Sequence, residues 1–206
     1  MTRRQKFQVT VLASDGQSST KTKKELAFEL RHWQPRIKTL RPSAKHGGPK
    51  GSAFERKICR ALSRWISGGK HEDLFWRTAM SGGRATLGKR KGLDIRQAGD
   101  ICSVAPQGHA FTDLWFVECK CVRDLNFTSF LVNNKGLLAG FWKTACRQAK
   151  AHHRNPMLIV KENHCPILVI TPHQYPPRGT PMIELLGKCD IMLFDEMVQG
   201  RPWIGR

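Results

Sequence analysis

Nowhere in the 206 residues do about 18 apolar residues run together, so no membrane-spanning helix is expected. The opening stretch, MTRRQKFQVTVLASDG, lacks the apolar core and small-residue cleavage site of a secretory signal, and the chain reads as a cytoplasmic protein. Neither a lipidation motif nor a strongly amphipathic basic helix is present, which argues against an acidic membrane surface as partner. Cysteine pairs of the C-x-x-C kind are missing too. The seven cysteines, Cys59, Cys102, Cys119, Cys121, Cys146, Cys165 and Cys189, therefore make no zinc ribbon or finger, and they fit reduced thiols. Cys119 and Cys121 flank Lys120 and read as buried apolar residues rather than metal ligands. No internal repeat occurs. No helix-turn-helix or zinc module offers base-specific readout, which favours recognition of shape over recognition of sequence.

Acidic residues are scarce as well: 16 Asp and Glu stand against 35 Lys and Arg, a formal net charge of +19. The excess is uneven. Residues 1–50 carry 12 basic against 3 acidic side chains, residues 51–92 carry 10 against 3, and residues 93–206 carry 13 against 10. A positive field of this size gathers polyanions, and nucleic acid is the commonest one inside a cell. The alternative is a basic protein without such a partner. Hydrophobic residues make up 40% of the chain, enough for a packed core. The length suits one domain of about 150 residues with an extension.

The extension is residues 1–50, a basic and loosely attached segment with one candidate strand, Phe7–Leu12, and a polar continuation, Ser14–Lys24. A short helix is expected over residues 25–34 and a basic linker over Arg36–Lys50, where Pro42 and Gly47-Gly48-Pro49 break any regular pattern. The domain proper is residues 51–206. Ser52 with Glu55 three residues on has capping-box spacing. Phe54, Ile58, Ala61, Leu62 and Trp65 then recur at three- and four-residue steps, predicting an amphipathic helix over residues 53–67 that Gly68-Gly69 stops. Strands are expected at Leu74–Met80, Gly99–Val104, Thr112–Val122, Met157–Val160 and Ile167–Thr171, and a helix at Asn134–Ala151 with Leu137, Leu138, Phe141, Trp142, Ala145 and Ala149 on one side, ended by Asn155-Pro156. Loop dominates from Pro172, with one more apolar run at Ile191–Phe194. Helix, strands, helix, strands gives an α/β domain with a mixed central sheet flanked by helices. Trp76 and Trp142 read as core, and His152, His153 and His164 as helix-end and turn residues.

On a strand through Phe116–Cys121, Phe116, Glu118 and Lys120 share one face, and Trp115, Val117, Cys119 and Cys121 the other. A carboxylate and an ammonium in an apolar strand demand a reason, because burying an unpaired charge costs several kcal/mol or more. An intrastrand ion pair or a solvated face would be reason enough. Asp100, opening the preceding strand, suggests a third. If the two strands are neighbours in one sheet, Asp100 and Glu118 converge, and two carboxylates suit a hard cation such as Mg²⁺. Such an ion activates water and polarises a phosphodiester. Lys120 would orient the water and offset developing charge. Asp94, in GLDIRQ, competes for the aspartate's role, but Gln97-Ala98-Gly99 interrupts its path. Asp113 falls on the opposite face of a regular strand from Glu118. The basic stretch Arg84–Lys91 (RATLGKRK) reads as a phosphate-holding loop through Arg84, Lys89, Arg90 and Lys91, or as a solvated loop.

Gly99-Asp100 … Glu118-Cys119-Lys120 resembles the motif of the PD-(D/E)xK nuclease superfamily, with Gly99 where the family often has proline. GSAFERKICRAL, around Glu55, is similar to the first helix of phage and archaeal Holliday junction resolvases, and FWRTAMSGG to the stretch before their catalytic aspartate. Gln148 resembles a glutamine in the helix that follows. The resemblance covers residues 51–171. It implies a restriction-endonuclease-like core. It also implies a catalytic set of Glu55, Asp100, Glu118, Lys120 and Gln148, and a metal set of Glu55, Asp100, Glu118 and the Cys119 backbone carbonyl. Arg77 and Ser81 would touch DNA. The implied activity is Mg²⁺-dependent cleavage of branched DNA by a homodimer, with Mn²⁺ as substitute ion and phage origin fitting the size. A restriction-like or RecB-like nuclease in repair or packaging, and a non-catalytic basic binding protein, are the competing readings.

Overall fold

The apolar segment near the start does form a strand, β1 (Gln8–Leu12), but it does not hang loose. In the computed structural model, which describes residues 8–12, 18–22, 49–78, 98–173, 182–185 and 189–204, β1 pairs antiparallel with β2 (Ser18–Thr22). The polar stretch that held no expected strand thus supplies one. The expected helix over residues 25–34 and the loop Arg84–Lys91 lie outside the described residues, as does most of the basic linker.

Helix α1 (Pro49–Ile66) begins earlier than the capping box implied. Proline at the first position has its fixed φ and spends no hydrogen bond there, so Ser52 lies inside the helix and Glu55 is not needed for capping. Phe54, Ile58, Cys59, Leu62 and Trp65 are buried, which is the expected apolar stripe. Gly68 and Gly69 take φ of +60° and +87°, and the Gly69 N–H closes the helix on the Arg64 carbonyl at 2.7 Å.

Next come β3 (Phe75–Arg77) and β4 (Ile101–Ser103), which pair with each other as a separate two-stranded ribbon. One side chain ties this ribbon to α1. Ser63, fully buried, donates to the Cys59 carbonyl at 2.8 Å and accepts the Phe75 N–H at 3.2 Å. Ser63→Ala leaves that N–H without a partner, so unfolding free energy should fall by about 1–3 kcal/mol in a urea titration. Trp76 is a correction to the expected core, for it is 63% exposed, whereas Trp142 is half-buried as anticipated.

Helix α2 (His109–Leu114) replaces the first three residues of the strand expected over Thr112–Val122, and β5 is Trp115–Val122. A further helix not anticipated, α3 (Phe127–Asn133), is capped by Asn126, whose Oδ1 accepts the Ser129 N–H at 3.3 Å. Helix α4 (Leu137–Ala151) follows, with Leu138, Ala145 and Ala149 buried; Leu137, expected on that side, is instead 47% exposed. Pro156 does not merely end a helix. It lies in β6 (Asn155–Glu162), before the point where β7 (Ile167–Thr171) joins at Leu158, so its missing N–H costs no bond on that side.

The C-terminal part is less loop-like than expected, giving β8 (Met182–Leu185), β9 (Cys189–Leu193) and α5 (Phe194–Gln199). Together the strands form one sheet in the order β2-β1-β8-β9-β7-β6-β5, parallel only between β5 and β6. β1 joins this sheet through β8. Met157, Leu158, Ile159 and Val160 are fully buried, because both faces of β6 are covered. Trp115, Val117, Met157, Ile159 and Val169 pack under α1, α2 and α5; Leu158, Val160, Ile170 and Ile191 pack under α3 and α4. Trp203 closes the first layer, edge-on to Trp65 at 5.8 Å, with its carbonyl accepting the Trp115 indole N–H at 3.0 Å. This is the α/β architecture with a mixed sheet between helices that the sequence predicts. Among the described residues no helix is long and apolar enough to cross a membrane.

Candidate active site

β5 is the last strand of the sheet, so one of its edges is free of a neighbouring strand. Asp100 occupies that edge. Its N–H donates to the Val117 carbonyl at 2.8 Å, and its Oδ2 accepts the Cys119 N–H at 2.8 Å. The expectation that the aspartate's strand neighbours β5 in one sheet is therefore corrected. β4 turns away to β3, and a single residue stands in for the missing strand. From the other side Thr78 N–H donates to the Asp100 carbonyl at 2.9 Å. Clamped at three points, Asp100 is 5% exposed.

Gly99 makes this possible. Its φ is +87°, and a Cβ there would stand 2.6 Å from the Val117 carbonyl oxygen. Proline, fixed near φ −65°, has no access to that conformation, which gives the departure from the family's usual residue a physical reason.

Along β5 the side chains alternate as expected. Cys119 is buried in the layer under α1, with Cys121 packed partly against it. Burial, with Asp100 next in effect, pushes the Cys119 thiol well up, and burial pushes Cys59 up to about 12; both are inert as nucleophiles or ligands. Phe116 packs instead on Ala98 and on Ala149 of α4, and stacks on His152 at 5.7 Å. Glu118 and Lys120 share that side and form an ion pair with each other. The Lys120 ammonium also lies 6.0 Å from the centre of the Phe141 ring.

Burial raises the Glu118 pKa, Asp100 raises it further, and Glu55 adds to this; Lys120 offsets part of the rise. Glu118 thus feels both of the other carboxylates. Burial on its own would lower the Lys120 pKa, but the bond to Glu118 and its charge outweigh burial, and the value is raised. Glu55 reaches this region from α1, where its Oε2 accepts Arg77 Nε at 2.8 Å.

The donor chemistry of Glu55, Asp100 and Glu118 suits a hard divalent cation. The Cys119 carbonyl points to the same free edge as the Val117 carbonyl by strand alternation. Each carboxylate is engaged elsewhere, with Arg77, the Cys119 N–H and Lys120 respectively. Accordingly, no group of three or more His, Cys, Asp and Glu side chains is gathered for a metal among the described residues. To hold such an ion, Glu55 and Glu118 would have to leave their cationic partners, Arg77 and Lys120.

The remaining candidates divide. Gln148 stands two turns beyond Phe141 on α4, half-buried, with its Oε1 lacking a hydrogen-bond partner among the described residues. No hydrogen bond among those described joins it to Glu118 or Lys120. Arg77, expected on DNA, is engaged with Glu55. Ser81, Arg84, Lys89, Arg90, Lys91 and Asp94 lie outside the described residues. Asp113 is on α2 rather than on the strand, exposed, with Arg154 at 3.9 Å. His153 and His164, at φ +54° and +62°, are helix-end and turn residues as expected. Sequence reading missed the left-handed Gly99, the Thr78 clamp and the Phe141 ring beneath Lys120. Only Gly99 left a local signal, a glycine where the family often has proline.

A family model described as "Phage putative PDDEXK endonuclease" matches residues 48–177, a span that holds every site residue named above. No curated protein and no solved structure matches the chain. Well over half of the sequence lies within the family match, and the folded core is the α/β arrangement the motif requires: the chain belongs to the phage PD-(D/E)xK endonuclease family.

Proposed function

We propose that the chain is a Mg²⁺-dependent endonuclease that cuts branched DNA, acting as a homodimer because two opposed strands of a junction must be cut, and that Mn²⁺ replaces Mg²⁺. The observation that carries this reading is the clamped, buried Asp100 beside Glu118, a carboxyl whose proton affinity is raised by burial and by its acidic neighbours. The net charge of +19 supports a polyanionic substrate.

Glu55, Asp100, Glu118 and the Cys119 carbonyl are the residues that hold the ion. When bound, it supplies an activated water and charge stabilisation at the phosphodiester. Lys120, charged and with a raised pKa, does not accept the water's proton. Its ammonium positions the water through hydrogen bonds and offsets negative charge on the phosphate. Once released from Glu55, Arg77 is free to hold a phosphate oxygen, joined by Ser81, Arg84, Lys89, Arg90 and Lys91 of the basic loop. Gln148 contributes an amide from α4.

The test is cleavage of a four-way junction, a flap, a linear duplex and a single strand, each with Mg²⁺, Mn²⁺ or EDTA. The junction should be cut fastest, and only with metal. No cleavage of any substrate overturns the catalytic reading. Equal cleavage of linear duplex replaces branch selectivity with restriction-like or RecB-like action.

Metal binding requires ionised Glu118. Since its pKa is raised, protonation begins to compete above the ordinary carboxylate range. Mn²⁺ affinity, followed by titration calorimetry from mildly alkaline to acid pH, should therefore start to fall earlier than for a normal glutamate. Glu118→Gln should flatten that dependence. Stability carries the opposite sign. A carboxyl raised in the fold stabilises it while protonated, and this contribution is lost as pH rises through the raised value.

A further inference from the structure

The two most exposed large apolar side chains of the described residues, Trp76 at 63% and Val104 at 53%, belong to one small ribbon. By strand alternation the two faces of that ribbon differ. Phe75 and Ile101 turn inward to the core, and Arg77 leads to Glu55. Trp76, directly opposite Cys102, turns outward. Its backbone is fixed by the ladder to β4 and by the Cys102 thiol, which donates to the Trp76 carbonyl at 3.5 Å. The ring is thus a large, exposed aromatic surface on a fixed backbone, in the ribbon whose next residue, Arg77, bonds Glu55.

We infer that Trp76 is a stacking platform for an unpaired nucleobase of the bound DNA. This rests on the nuclease reading and deepens it, because it names what distinguishes the substrate: a base free of its partner, as at a branch point or flap. Two observations favour a base over an apolar protein surface. Residues 51–92 carry 10 basic against 3 acidic side chains, so a polyanion is drawn to this part of the chain. The neighbouring residue, Arg77, is ion-paired with Glu55, so the ribbon itself adjoins one of the candidate metal ligands. A ring that every base can stack on also supplies affinity without sequence preference, in keeping with the lack of any base-reading module.

Stacking is worth about 1–3 kcal/mol per base. Trp76→Ala should therefore weaken binding of a flap or single strand by about 10-fold, and binding of fully paired linear duplex hardly at all. Trp76→Phe should keep most of the affinity. Binding is measured on the full chain in EDTA, so the result stands apart from whether Mg²⁺ supports cleavage. The emission difference between the native chain and Trp76→Phe isolates this indole. It should be quenched by acrylamide and further altered by single-stranded oligonucleotide. Equal affinities of Trp76→Ala and native chain for the flap overturn the inference, as does an equal loss on paired duplex. A ring that acrylamide cannot reach, or one protected only by self-association, overturns it too.

Discussion

Asp100→Asn lowers the rate of cleavage about a thousandfold and leaves the fold intact. The substitution is close to isosteric, and an amide oxygen still accepts the Cys119 N–H that Asp100 Oδ2 accepts now. What disappears is one negative charge from a cluster of three. Removing a single preorganised electrostatic contributor commonly costs about 10²–10³ in rate, equivalent to about 3–4 kcal/mol of barrier. Loss of a metal ligand belongs at the upper end. Glu118→Gln and Lys120→Ala should do the same, the first by weakening the metal, the second by removing the ammonium that positions water. DNA affinity of the two carboxylate variants should not fall, since taking acid from a site that meets phosphate reduces repulsion. Single-turnover cleavage and filter binding, run on the same preparations, separate the two effects. Cleavage at native rates by any of these variants would mean that the hydrolytic centre lies elsewhere.

Gly99→Ala unfolds the edge that holds Asp100. The left-handed conformation costs an L-residue about 1–2 kcal/mol. The added methyl also meets the Val117 carbonyl oxygen at 2.6 Å and the Val117 nitrogen at 3.3 Å. Both are backbone atoms of β5, tied on their other side to β6, and neither can yield cheaply. A total loss of about 3–4 kcal/mol is expected in denaturant unfolding, at the large end for a single substitution. Gly99→Pro should be worse. A residue that the family often has at this position thus becomes a damaging one here. If Gly99→Pro folds and cleaves as well as the native chain, the +87° geometry at this position is wrong.

Elements whose own spacing carries the signal were legible. α1 shows its apolar residues at three- and four-residue steps, and β6 and β7 show short apolar runs bounded by turns. Alternation along β5 placed Glu118 and Lys120 together correctly. The misreadings share a cause. Thr112–Leu114 looks like part of the strand, yet α2 runs as far as Leu114, with Phe111 and Thr112 buried in the core. β2 has no apolar pattern and exists through its partner β1. Asn126 ahead of Ser129 was a readable cap for α3, overlooked beside the stronger helix that follows. At the site, the link from Arg77 to Glu55 spans 22 residues, and the clamp of Thr78 on Asp100 also spans 22. No local pattern reports such contacts. The motif supplied the identities, but the reason Asp100 meets β5 is a glycine conformation that the letters do not display.

The seven strands lie side by side with β2 at one extreme and β5 at the other. Six intervals of about 4.8 Å put about 29 Å between them. Labels or fusions placed on the N-terminal hairpin are therefore remote from the carboxylates, while strain between the two margins must pass through every rung in between. A fluorophore pair on β2 and β5 would make the sheet its own ruler, reporting completion of the whole array.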